Sequence, residues 1–499
     1  MSLKRNILAN YASQIYVTLI SIVMVPLYLR YMGAEAFGLV GFFATLQMWF
    51  NLLDMGLTPT MARETARFRG GAMDAITFRR LGRALEWLFL IVALLGGGVL
   101  LTASGWVATS WLNAQHLLVS EVQTAIQLMA ITVSLRWMSG LYRGQVSGAE
   151  RLVWLGGYNA AIATIRFVGV LPVLMFISAT PVAFFRYQLC AASIELVGLS
   201  VMAYRLLPPV PPNERLTLSW RPLASVLKFT LTMAFATTLW VVVTQADKLL
   251  LSTLLPLAEY GYFTLAVLVA SGVMMISGPV SGAIMPHMAK LEAEGDHAGL
   301  IRVYRQSTQL VAVITGAAAI TVAFFAEPLL WAWTGDPTLA KQAAPIMILY
   351  AVGNGILAVS AFPYYLQYAK GDLRLHLIGN TLFVVMMIPA MIWAVSQYGS
   401  VGAGYVWMVL NFIYFIFWVP WIHFRFDTKL NIPWFGHDVL TINVVAALVG
   451  YGLFSIMPHV KSCLGLAVEL VGVGFLVMLS GACASSVVRG KAKLWLQQR

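Results

Sequence analysis

The sequence predicts an all-α polytopic membrane protein of about 14 transmembrane helices, in two six-helix pseudo-repeat bundles followed by a C-terminal helix pair. Of 499 residues, 60% are apolar and only 10% charged, against about 45–50% and 25% in ordinary soluble domains. A soluble globule cannot hide that excess, because so much of any folded surface faces water. The apolar residues fall in runs of about 20, the length a helix needs to cross a bilayer. The basic residues concentrate on one side of those runs.

Taken in order, the predicted spans lie near residues 7–29, 36–58, 87–112, 121–141, 153–178 and 181–204. Eight more follow, near 229–255, 260–288, 307–334, 343–367, 376–398, 401–424, 438–458 and 463–487. The first is too long and polar-flanked for a cleaved leader, with no small-residue cleavage site after Tyr28-Leu29-Arg30. Outer loops are short: Ala179-Thr180 and Tyr398-Gly399-Ser400 barely turn the chain. The longest inner connection holds Pro208-Pro209-Val210-Pro211-Pro212, a stiff extended linker by composition. This divides the chain into an N-terminal bundle (1–206), a linker (207–228), a second bundle (229–430), and helices 13–14 with a basic tail (431–499). Pro172, Pro279 and Pro389 interrupt helices and should kink them.

Assigning Lys and Arg by this count puts 25 of 32 on one side, Arg30, Lys341 and Lys461 on the other, and four inside helices. That asymmetry predicts cytoplasmic N- and C-termini. The surplus of positive charge (+12) therefore reads as topology, with no nucleic-acid partner. Cys190, Cys463 and Cys483 form neither metal-ligand spacing nor a disulfide framework and read as small core residues.

Three short patterns recur across the linker at offsets of 224, 227 and 223. Glu35-Ala36-Phe37-Gly38 matches Glu259-Tyr260-Gly261, and Pro59-Thr60-Met61-Ala62-Arg63 matches Pro286-His287-Met288-Ala289-Lys290. Gly148-Ala149-Glu150-Arg151-Leu152 matches Gly371-Asp372-Leu373-Arg374-Leu375. Collinear order points to a duplication with both halves in the same orientation.

Polar groups within spans face the protein interior or a wet cavity. Asn6, Asn10, Gln14, Thr18 and Ser21 share one face of the first helix, and Gln47, Asn51, Asp54 and Thr58 one face of the second. Helix seven carries Thr237, Thr244, Gln245, Asp247 and Lys248. Such stripes predict a shared polar cavity. The cations Arg136, Arg166, Arg186 and Lys248 lie within spans, where insertion costs at least about 2.5–3.5 kcal/mol each. Arg keeps its charge at any depth and suits two-pronged recognition of phosphate. Intramembrane acids are Asp54, Glu195, Asp247, Glu327 and Glu469. They read either as charge compensation or as a proton or sodium site.

Several classes are disfavoured. There is no phosphate-binding G-x-x-x-x-G-K-[ST] loop, no D-x-D pair, and no ligand cluster among the seven histidines. Outer loops are too short to house a catalytic domain, so no enzyme and no metal are expected.

With these residues laid out, the chain resembles the Wzx-type polysaccharide flippases of the multidrug/oligosaccharidyl-lipid/polysaccharide exporter superfamily. The likeness runs from Asn6 through Tyr28-Leu29-Arg30-Tyr31-Met32-Gly33-Ala34-Glu35-Ala36-Phe37-Gly38, then Leu52-Leu53-Asp54-Met55-Gly56-Leu57 and Ala62-Arg63-Glu64. It continues in Gln245-Ala246-Asp247-Lys248-Leu249-Leu250-Leu251 and Tyr398-Gly399-Ser400-Val401-Gly402-Ala403-Gly404. The resemblance implies two six-helix bundles and alternating access for an oligosaccharide repeat unit on a polyprenyl pyrophosphate, serving O-antigen or exopolysaccharide assembly. The expected substrate-binding residues are Arg166, Lys248, Arg136, Arg186, Arg30, Asn51 and Gln14. Asp247, Asp54 and Glu195 are the candidates for H+ or Na+ coupling. No cofactor is expected. Membrane lipids and polysaccharide polymerase or chain-length machinery are the expected partners of a monomer. The alternatives are a lipid II flippase, a cation-coupled multidrug exporter or, from a different class, a membrane glycosyltransferase or polymerase.

Overall fold

The computed structural model describes residues 3–54, 56–209, 238, 241–456 and 462–490. The Pro-rich linker from 210 on and the start of the seventh predicted span lie outside the described residues. Among those described the chain is helical throughout, and ten helical stretches are long and apolar enough to cross a membrane. It is a multi-pass membrane protein. Large side chains such as Leu94, Val99, Phe176, Phe417 and Val468 are more than half exposed. A bilayer is the solvent that accepts such faces.

The chain divides into two compact units, Met1–Gly261 and Tyr262–Arg499. The first opens with α1 (Leu3–Phe50), broken at Gly33, whose φ of 82° and ψ of 169° are open to glycine alone. Then come α2 (Leu57–Arg69), α3 (Ala75–Trp106), α4 (Val119–Gly148), α5 (Leu152–Ala163), α6 (Leu171–Phe176) and α7 (Pro181–Arg205). A helix α8 is described over 241–254. Asp74 caps α3 by accepting from the Thr77 amide at 2.9 Å, and Thr180 caps α7 through the Ala183 amide. Pro172 sits in the first turn of α6, where its missing N–H is harmless, so the chain bends before it rather than through it. The centre of the unit is apolar, with Phe89 stacked on Trp137 at 4.3 Å between α3 and α4.

In the second unit α9 (Leu257–Ala293), which begins before the division, leads to α10 (His297–Phe324), α11 (Ala326–Thr334), α12 (Pro337–Ser360) and α13 (Phe362–Ala369). Next is α14 (Arg374–Ile413), broken at Gly399 (φ 59°) and containing Pro389. The chain ends through α15 (Val419–Phe426), the single turn α16 (Asn431–Pro433), α17 (Thr441–Ile456) and α18 (Cys463–Ala484). The last pair is bolted to α10 by polar contacts. Arg305 meets Asp438 through two bonds of 2.5 and 3.0 Å, and Gln309 reaches Asp438, Ser485, Ser486 and the Val487 amide. Asp438 is fully buried, so each bond is strong and each loss expensive. The three cysteines are free thiols, but Cys190 and Cys483 correct the expectation of core residues by being exposed.

Candidate functional site

A helix that passes through a bilayer must satisfy every backbone carbonyl internally or find a side chain to do it. In the first unit, α5 gives way at Thr164–Val168 to a π-helical turn, and α6 starts afresh at Leu171. Carbonyls freed there are met from outside. The Ile165 carbonyl accepts from Tyr187 Oη at 2.9 Å, that of Arg166 from Gln188 Nε2 at 3.1 Å, and that of Phe167 from Tyr28 Oη at 2.6 Å. Tyr16 and Thr164 share a further bond at 2.7 Å. The break is therefore held by α1 and α7, and it presents Arg166 from an irregular turn, the kind of feature that recurs at functional positions.

Arg136, from α4, lies beside it. Its Nη1 donates to Gln47 Oε1 and its Nη2 to Gln188 Oε1, each at 2.7 Å, and its guanidinium stacks 5.1 Å above the Phe43 ring. Gln188 thus takes a bond from Arg136 with one end of its amide and gives one to the Arg166 backbone with the other. Arg136 Nε is buried with no hydrogen-bond partner among the described residues. The Arg166 guanidinium lies 4.6 Å from the centre of the Phe167 ring and makes no hydrogen bond among the described residues. Both arginines are half-buried, and they are within electrostatic reach of each other and of Glu195.

Glu195 stands two turns beyond Gln188 on the same face of α7, and it is buried. One carboxylate oxygen pairs with Arg143 Nη2 at 2.6 Å, and the other has no partner among the described residues. Arg136, Arg143 and Arg166 against one carboxylate give the cluster a formal charge of +2. Such a group, partly desolvated and with donors to spare, is chemically an anion receptor.

The structure brings only some of the expected residues together. Arg136, Arg166 and Glu195 share this cluster. Lys248 does not join them by any hydrogen bond or ion pair among the described residues. Its Nζ is held on its own helix by the Thr244 carbonyl at 2.9 Å and Gln245 Oε1 at 3.1 Å. Asp247 is buried and accepts from the Lys248 amide at 2.8 Å. Asp54 accepts from the Thr58 amide (3.1 Å) and hydroxyl (2.6 Å), capping the start of α2. Gln14, Arg30, Asn51 and Arg186 are exposed and stand outside the cluster. Sequence reasoning missed Gln188 and the Arg143–Glu195 pair. The seven-residue spacing of Gln188 and Glu195 was the available signal, since two turns of helix put both on one face.

Residues 3–292 match the family described as polysaccharide biosynthesis protein. The chain belongs to that family. A relative from Shigella flexneri, whose name proposes it as an O-antigen transporter, is 20% identical over 409 residues, covering 82% of this chain and 95% of its own length. Among solved structures, the lipid II flippase MurJ in an inward closed conformation aligns with a TM-score of 0.71 at 11% identity. It covers 96% of this chain and 98% of its own. An inward-facing multidrug transporter of the MATE family and MOP superfamily follows, with TM-score 0.67, 15% identity, and 82% and 94% coverage. Such similarities show that this family member shares its overall fold with these two transporters.

Proposed function

We propose that this family member is a flippase moving a polyprenyl-pyrophosphate-linked oligosaccharide from the cytoplasmic to the outer leaflet by alternating access, without chemical change to its cargo. The observation that carries this reading is the Arg136–Arg166 pair, Arg166 on the irregular turn after α5 and Arg136 on α4 beside it: positive, half-buried and short of carboxylates. A pyrophosphate headgroup supplies the charge this cluster lacks, and guanidinium forks match its oxygens. The glycan needs polar surroundings, while the polyprenyl tail can remain in lipid. Family membership and the O-antigen name of the Shigella relative support the glycan class. Lys248 is proposed as a further cation on the route, and Asp247, Asp54 and Glu195 as sites where proton or sodium occupancy could couple.

Fourteen crossings fit the same reading. The stretches Ala12–Asp54 and Arg374–Phe426 contain 43 and 53 residues, about 65 and 80 Å of helix at roughly 1.5 Å per residue. Each spans a hydrocarbon core of about 30 Å twice, turning at Gly33 and Gly399. Adding α4 and α8 to these brings the ten to fourteen, with both termini on the cytoplasmic side by the charge asymmetry.

The test is sidedness. Reconstituted protein is given a labelled polyprenyl-pyrophosphate oligosaccharide in vesicles, and leaflet exposure is followed with an impermeant glycan-cleaving reagent. Movement without new glycosidic bonds supports the proposal, and Arg166→Ala should reduce it while the protein still inserts and folds. Unchanged transfer in that variant would remove Arg166 from the route; new glycosidic bonds would mean an enzyme instead.

A further inference from the structure

A second basic site lies in the first unit at the far ends of its helices. Arg69 is the last residue of α2, Arg151 immediately precedes α5, and Arg205 is the last residue of α7. Three separate elements thus bring three exposed arginines to the lining of one open cavity of about 290 Å3, which Phe68, Phe78 and Gln145 also line. Local chemistry builds it. The Phe68 and Phe78 rings stack at 4.6 Å, making an apolar wall. Gln145 is buried and tied to the Ala203 carbonyl at 3.0 Å, which fixes α4 against α7 below the arginines. Between α4 and α5 the chain turns through Glu150 with φ of +59°, the one positive φ outside glycine among the described residues. That turn belongs to the duplicated Gly148–Leu152 pattern and sets Arg151 at the rim. Arg69 is steered inward by donating to the Ala149 carbonyl of the same turn.

None of the three arginines has a carboxylate partner among the described residues. By contrast, neighbouring Arg67 is paired with the buried Glu64 at 2.9 Å. Three positive side chains lining one cavity favour an anion there, and the cavity has room for roughly ten waters at about 30 Å3 each. Depth narrows the ligand. Arg205 ends the membrane-spanning stretch Pro181–Arg205, and Arg151 abuts the stretch Leu152–Phe176. The guanidinium groups therefore lie at the membrane–water boundary, at the level of lipid phosphates.

We infer that the Arg69–Arg151–Arg205 pocket binds a phosphate-bearing anion at this boundary. Its source is either the headgroup of an anionic phospholipid or a soluble phosphate compound. This site is separate from the Arg136–Arg166 cluster and does not depend on what that cluster carries.

The experiment uses the full chain in nanodiscs and compares wild type with Arg69→Gln/Arg151→Gln/Arg205→Gln and with Arg302→Gln, which removes an exposed charge elsewhere. One arm counts phosphatidylglycerol retained in native mass spectrometry from discs of phosphatidylcholine doped with phosphatidylglycerol. A second arm titrates inorganic phosphate and pyrophosphate into discs of phosphatidylcholine alone. Retention in the first arm with no binding in the second identifies a lipid headgroup, and the reverse identifies a soluble phosphate. In whichever arm binds, the triple variant should lose at least about tenfold in affinity, as expected when charge-assisted forks are removed, and Arg302→Gln should not. Circular dichroism checks the fold. If the triple variant fails to fold, Arg151→Gln and Arg205→Gln singly are held to the same comparison. Wild type binding in neither arm, or a loss no larger than that of Arg302→Gln, overturns the inference.

Discussion

Gln188 offers the sharpest mechanical test of the intramembrane cluster. Its side chain is buried and bridges Arg136 and the Arg166 carbonyl. Replacing it with leucine keeps the volume roughly constant and removes both bonds. A bond to a charged donor contributes about 1.5–3 kcal/mol, and a buried carbonyl left bare costs about 1–3 kcal/mol. Arg136 keeps Gln47 as an acceptor at 2.7 Å, so the low half of the summed range applies, about 3 kcal/mol. Gln188→Glu retains an acceptor for Arg136 but cannot donate to the carbonyl, and should cost about half as much. It also lowers the formal charge of the cluster from +2 to +1, so glycan export should fall at unchanged protein level. Stability is read from equilibrium unfolding in mixed detergent and dodecyl sulfate, followed by helical circular dichroism. The double variant Gln47→Leu/Gln188→Leu should lose more than the sum of the singles, because Arg136 then has no acceptor. A leucine variant within about 1 kcal/mol of wild type, or a glutamate variant worse than leucine, would refute the bridging role.

Other expectations follow from the same contacts. Arg143→Met strands the buried Glu195 carboxylate and should destabilise by about 2–4 kcal/mol, at the low side of buried pairs because Arg143 is 42% exposed; Glu195→Gln introduced alongside it should restore most of that loss in the same unfolding assay. Tyr28→Phe removes the hydroxyl held by the Phe167 carbonyl and should cost about 1–2 kcal/mol, measured likewise. Asp438→Asn should weaken the Arg305 and Gln309 contacts and expose sites in α17 to proteolysis before the rest of the chain. Asp74 has its pKa held below the ordinary carboxylate value by the Thr77 amide. Its contribution is present above the unfolded value and fades as pH falls through the lowered one, so the stability gap between wild type and Asp74→Ala should narrow on acidification; a gap that widens would contradict the cap.

Membrane class was legible in the sequence because bilayer insertion is a bulk property that composition and run length report directly, and the family was legible in short motifs such as Leu52-Leu53-Asp54-Met55-Gly56-Leu57. The turns at Gly33 and Gly399 were legible too, falling between predicted spans. The site was legible only by halves. Arg136 and Arg166 stand out as charges in apolar runs, but what faces them is set by helices packed from elsewhere in the chain. Arg143 falls just beyond the fourth predicted span, 121–141, because the apolar run fades there, whereas α4 continues to Gly148. Its partner Glu195 is 52 residues away. Periodicity names the face of a helix; it does not name the neighbour. Asp54 shows the converse, since a carboxylate in a span proved to serve the backbone of α2.

The three side-chain bonds at the Ile165–Phe167 carbonyls have a mechanical corollary. Consecutive peptide groups are fastened to two different helices. Shifting the backbone that carries Arg166 away from both helices means breaking the bonds from Tyr28, Tyr187 and Gln188, whereas its side chain can swing without disturbing them.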